Sequence, residues 1–252
     1  MLTLKLLLVP TFLLLVTLAG KRWGPAIAGW LAGLPVVAGP ILFFLAIEHG
    51  IPFTARAATA ALSAVLASVA FSLAYAHAAQ RLPWQASMAL GLGGWTATAL
   101  CLSAYPLTQA MALLAALLAL LTAPRCFPRS TAVVRARPLS TVELGLRMLA
   151  GAFLTVAVTL SAAYVGPGWS GLLAVFPVLG TVLAVFSHRS QGPAFTATLL
   201  KAMVTGQYAA VAFCFTLSVA LPRLPMAWAF GTAVMAATTV QISSKRALMR
   251  QP

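Results

Sequence analysis

Two carboxylates, three histidines and three cysteines are the acidic, imidazole and thiol groups that this chain of 252 residues offers for acid–base, nucleophilic or metal chemistry. Glu48 stands beside His49, and Glu143 lies four residues before Arg147. A carboxylate in apolar surroundings holds its proton more tightly, so Glu48 with His49 is the candidate for proton coupling or cation contact. Both also stand where an apolar run ends, so an interfacial pair wetted by headgroups is the plainer reading. Glu143 and Arg147 share one helix face and are expected to pair with each other. Lys201 begins another candidate group, an anion contact beside Thr205 and Gln207, against the simpler expectation that it snorkels to the membrane surface.

Cys101, Cys126 and Cys214 are scattered, as are His49, His77 and His188, so no metal site or disulfide framework is implied. The sequence shows no nucleophile elbow, phosphate-cradling glycine loop or cofactor motif, and the chain is expected to be neither an enzyme nor a cofactor carrier. What remains is backbone chemistry. Gly33, Pro35, Gly39 and Pro40 interrupt one apolar run, and Pro177 and Gly180 interrupt another. Proline removes a backbone donor and opens a helix. At membrane depth the freed groups are tolerated only inside protein or beside a watery cavity, which makes these six residues candidates for lining a substrate site. Close helix packing through Gly29 and Gly33 is the competing explanation.

The elements that carry these residues follow from composition. The chain is 62% hydrophobic and 7% charged, with a net charge of +14. A soluble domain carries about 25% charged residues. Lipid must therefore be the solvent for most of the chain, and the expected fold is all-α and polytopic. Nine apolar runs reach or approach the roughly 20 residues a membrane helix needs: 2–19, 25–47, 57–79, 85–104, 107–123, 142–164, 167–186, 194–221 and 226–241. The fourth and fifth are separated only by Tyr105-Pro106, so one kinked helix is the alternative there. Pro124 to Thr141 carries Arg125, Arg129, Arg135 and Arg137 among prolines and reads as a loop.

With nine spans, thirteen of the 16 Lys and Arg fall on one side and three (Lys5, Arg56 and Arg223) on the other. The positive-inside rule then puts the C-terminus in the cytoplasm and the N-terminus outside. The Ala/Leu/Gly/Arg-rich composition suggests a bacterial inner membrane. Basic residues fall between apolar runs rather than among aromatics on a polar surface, so the bilayer is the expected partner and nucleic acid is not. Anionic lipid at the basic 125–137 loop is a further expected contact.

The chain also matches itself at an offset of 142 residues, Gly24 lying over Gly166. GPAIAGWLAGLPV (24–36) lies over GPGWSGLLAVFPV (166–178), Phe53-Thr54-Ala55 over Phe195-Thr196-Ala197, and Arg81-Leu82-Pro83 over Arg223-Leu224-Pro225. Leu4-Lys5 and Val16-Thr17-Leu18 lie over Leu146-Arg147 and Val158-Thr159-Leu160, so the first apolar run belongs to the repeat rather than to a cleaved leader. The expected organisation is a four-span unit over 1–104, a linker helix and basic loop over 105–141, and a second four-span unit over 142–252. One unpaired helix between them inverts the second unit, an arrangement common in secondary transporters.

Each half resembles the GlpM-like small bacterial membrane proteins. The resemblance rests on Gly33-Leu34-Pro35, Glu48-His49-Gly50 and Arg81-Leu82-Pro83 in the first half, and on Phe176-Pro177, Gly192 and Arg223-Leu224-Pro225 in the second. It implies a tandem fusion of two four-span units. The second half has Ser190 and Gln191 where the first has Glu48 and His49, so any role of the acid is one-sided. The functional expectation is a small-solute secondary transporter or exporter with its site between the broken second and seventh spans. The alternative is a non-transporting membrane partner in envelope or polysaccharide assembly.

Overall fold

A computed structural model describes residues 2–128 and 140–248, with side chains from Val9 onward except at 163 and 245–248. Arg129, Arg135, Arg137 and Arg250 lie outside the described residues, and with them most of the basic loop. The described residues form twelve helices and no strand: α1 (Leu2–Trp23), α2 (Pro25–Ala32), α3 (Ala38–His49), α4 (Ile51–Ala78), α5 (Trp84–Ala104), α6 (Gln109–Cys126), α7 (Thr141–Tyr164), α8 (Pro167–Ala174), α9 (Val178–Gln191), α10 (Pro193–Gly206), α11 (Tyr208–Ala220) and α12 (Met226–Leu248). Six segments are long and apolar enough to cross a membrane: α4, α5, α6, α7, the α8–α9 run and the α10–α11 run. The other three expected spans correspond to α1, the broken α2–α3 pair and α12.

Local sequence explains where these helices start and stop. Gly50 and Gly192 hold φ of +81° and +90°, with ψ near 175°, immediately before α4 and α10. Only glycine occupies that region without strain, and a proline follows in the first two residues of the next helix, Pro52 in α4 and Pro193 in α10. Thr54 and Thr196 then donate their hydroxyls to Gly50 and Gly192, both at 3.0 Å. Tyr105-Pro106 separates two helices rather than kinking one, because Thr108 caps α6 by accepting from the Met111 amide at 3.4 Å. The expected eighth span is also divided: α10 stops at Gly206 and α11 starts at Tyr208.

Packing is closest where small residues let backbones meet. α2 lies against α10, and α8 against α4. A methyl on Gly29 would overlap the Leu199 carbonyl, and one on Gly171 would overlap the Ala57 carbonyl. These two contacts are reciprocal under the 142-residue offset, since Gly29 becomes Gly171 as Leu199 becomes Ala57. Gly206 meets the Trp30 carbonyl and Gly33 in the same seam. Lipid tails are as apolar as the helices, so close van der Waals contact and interhelical hydrogen bonds hold such a bundle. Gln241 of α12 donates to the Trp30 carbonyl at 2.9 Å, and the Trp30 indole donates to Ser244 at 2.9 Å. α6 packs on α4, α10 and α11, and Gln109 at its start donates to Ser218 at 2.8 Å.

Candidate functional site

The two proline-broken helices meet at the centre of the bundle. After α2 the chain leaves helical geometry at Gly33 and regains it at Ala38; after α8 it does so between Val175 and Val178. Both breaks use the same device. The Val36 amide donates to the Leu34 carbonyl at 2.8 Å, and the Val178 amide to the Phe176 carbonyl at 2.7 Å. Each bond spans one proline, Pro35 or Pro177. Pro177 has φ −75° and ψ 59°, an inverse γ-turn. The carbonyl of each proline then accepts the first bond of the next helix, from Gly39 at 2.9 Å and Thr181 at 2.7 Å.

Between the breaks lies a cavity of about 50 Å³. Gly33, Pro35, Pro177 and Gly180 line it, so four of the six backbone-disrupting residues singled out from sequence gather at one point. Gly39 and Pro40 instead face a neighbouring apolar groove of about 520 Å³ between α3, α11 and α12, walled by Phe43, Phe213 and Phe230. Leu34 and Pro35 border both spaces.

The cavity has helix ends on each side and little side-chain polarity. Ala32 and Ala174 close the preceding helices, while Val37, Ala38, Val178 and Leu179 open the following ones. Neither α3 nor α9 has a side-chain cap. Unpaired amides at a helix start carry partial positive charge, and carbonyls at a helix end carry the reverse. The polar side chains are Ser68 and Gln207. Ser68 donates to the Val175 carbonyl at 3.0 Å, which ties α4 to the second break. Gln207, 5% exposed, has no partner for its Oε1. A buried amide oxygen left unpaired in this way is costly, and it marks a position where a donor is expected to arrive.

The other sequence candidates lie elsewhere. Glu48 and His49 are exposed at the far end of α3, where the His49 ring stacks on Phe53 at 4.6 Å. They do not line the cavity. Lys201 is half-buried on α10, and Thr205 donates to its backbone carbonyl at 3.2 Å. Of that expected anion group only Gln207 reaches the cavity. The Glu143–Arg147 pair forms as expected, at 2.7 Å, but Arg147 is 3% exposed, far deeper than a surface ion pair.

Searches of protein-family models, of curated proteins and of solved structures find no match to this chain. The apolar helices define the class, a multi-pass α-helical membrane protein, and any finer reading rests on the geometry above.

Proposed function

We propose that the chain is a small-solute secondary transporter or exporter, built from two inverted four-helix units around α6, with its solute site at the paired breaks. The observation that carries this reading is the matched γ-turn at Pro35 and at Pro177, both walling one cavity. Interrupted helices at corresponding positions of two halves are a recurrent transporter device, because helix ends supply binding groups without buried charge. The reciprocal contacts of Gly29 and Gly171 support a two-fold relation between the halves. The thirteen-to-three split of basic residues supports the inversion and a cytoplasmic C-terminus.

The lining argues for the solute class. Among the described residues no charged side chain borders the cavity, while positive and negative helix ends both do. An uncharged polar or zwitterionic small solute satisfies such a site, with Gln207 Oε1 accepting one of its donors. At about 50 Å³ the cavity has room for only a few waters, and transport requires the halves to part at the α2–α10 and α4–α8 seams. Any coupling through Glu48 and His49 would act along α3, whose opposite end borders the cavity.

The test is thiol labelling. In a background with Cys101, Cys126 and Cys214 replaced by serine, single cysteines at Leu34, Val175 and Ala210 are probed in oriented vesicles with a membrane-impermeant reagent. The transporter reading expects reaction at the same position from either side. Cysteines inert from both sides would overturn it and favour a static membrane partner instead.

A further inference from the structure

We propose that a second, independent site, enclosed where α1 ends and α7 begins, binds a small monovalent anion of halide size. A cavity of about 20 Å³ lies between α1, α7, α9 and α10, bordered by Thr17, Lys21, Arg147 and Ser187. That volume holds about one water-sized particle. Sulfate and phosphate are too large for it.

Three of these side chains are almost wholly buried and have unmatched polar atoms. Arg147 is 3% exposed, Thr17 4% and Ser187 1%. Arg147 Nε, Thr17 Oγ1 and Ser187 Oγ have no hydrogen-bond partner. Most buried hydroxyls of the bundle are bonded to their own helix, Thr159 and Thr181 being unpartnered like these two. Ser190, Thr155, Thr196 and Thr198 each donate to the carbonyl four residues earlier, at 2.7–3.0 Å. Thr17 and Ser187 make no such bond, so each hydroxyl proton is available to the cavity they share. Gln191 borders the cavity too, so Nε and the two hydroxyls converge there beside one side-chain amide.

Charge points the same way. Arg147 binds Glu143 through one nitrogen at 2.7 Å, touches Ser190 at 3.5 Å and has Phe186 under its guanidinium at 5.6 Å. Lys21 stands at the exposed rim. Glu143 balances the buried Arg147, and Lys21 adds one positive charge at the exposed mouth of a site walled by Val16, Leu183 and Leu199. One monovalent anion would balance Lys21 while accepting from Nε and both hydroxyls. Under the 142-residue offset Thr17 and Arg147 lie over Thr159 and Lys5, while Lys21 and Ser187 lie over the apolar Ala163 and Leu45.

The test uses the full-length protein in detergent at fixed ionic strength. Sodium gluconate is exchanged stepwise for chloride, bromide, fluoride or sulfate while thermal unfolding is followed. The expected result is a saturable rise in Tm with halides and none with sulfate. Thr17→Val and Ser187→Ala should each weaken half-saturation about tenfold. Arg147→Gln should abolish the rise, and Glu143→Gln should tighten it. If Arg147→Gln fails to fold, the two hydroxyl variants decide alone. A wild-type Tm that does not distinguish halides from gluconate would mean the cavity holds only water and would overturn the proposal. So would a halide response unchanged in both hydroxyl variants. Thiol labelling at the helix breaks does not depend on either outcome.

Discussion

The α2–α10 seam can be tested with a single methyl group. At Gly29 an added Cβ overlaps the Leu199 carbonyl and lies 2.9 Å from the Met203 amide nitrogen and 3.0 Å from the Ala202 methyl. Two of these neighbours are backbone, so no rotamer change relieves the clash. Ordinary contact begins near 3.4 Å. α2 must therefore retreat from α10 by about 1 Å, a gap that forfeits a quarter to a half of the dispersion energy of each contact along the seam. Overpacking of this kind costs about 1–3 kcal/mol, and a clash against backbone belongs at the upper end. Gly29→Ala should thus destabilise by about 3 kcal/mol, and Gly171→Ala by a similar amount, since it meets the Ala57 carbonyl in the same way. The controls are Gly93→Ala in α5 and Gly231→Ala in α12, where nothing lies within 4 Å of the new methyl. Those should stabilise by about 0.5–1 kcal/mol through helix propensity. The assay is denaturant unfolding in mixed micelles, read by tryptophan fluorescence. Gly29→Ala and Gly171→Ala both falling within about 0.5 kcal/mol of wild type would refute the close-packed seam.

Gly50→Ala and Gly192→Ala force a side chain into a conformation nearly restricted to glycine, and each should cost about 1–3 kcal/mol in the same assay. Gln207→Leu replaces an unpartnered buried amide oxygen by an apolar group, so stability should hold or rise by about 1 kcal/mol while solute-dependent protection of a cysteine at Val175 is lost. Equal protection in both proteins would remove Gln207 from the site. A topology reporter fused after Pro252 should be cytoplasmic and one at Met1 external. Both on one side would refute nine spans.

Much of the architecture was legible because its signals are local. Hydropathy marks each apolar run within its own twenty or so residues, and Pro35 and Pro177 announce their breaks because a missing amide cannot be repaired by a distant partner. Gly50, two residues before Pro52, and Gly192, immediately before Pro193, mark the turns into α4 and α10. The constant offset linked residues far apart without any knowledge of contacts. Other features were hidden. The division of the eighth span at Gly206 and Gln207 has no proline to signal it, and it falls where Gly206 lies against the Trp30 carbonyl across the seam.

Residue patterns along the chain suffice to show that it is helical, apolar enough for a bilayer, internally matched at 142 residues and broken at two corresponding prolines. Helix packing places both breaks at one cavity, brings Gln207 into it while leaving Glu48, His49 and Lys201 outside, and buries Arg147 beside two unpartnered hydroxyls. The physical reason is that burial and hydrogen-bond satisfaction belong to pairs of helices. Arg147 and Lys201 each lie a few residues inside an apolar run and look alike in sequence. Only the helices packed around them make one a nearly enclosed charge and leave the other half-buried.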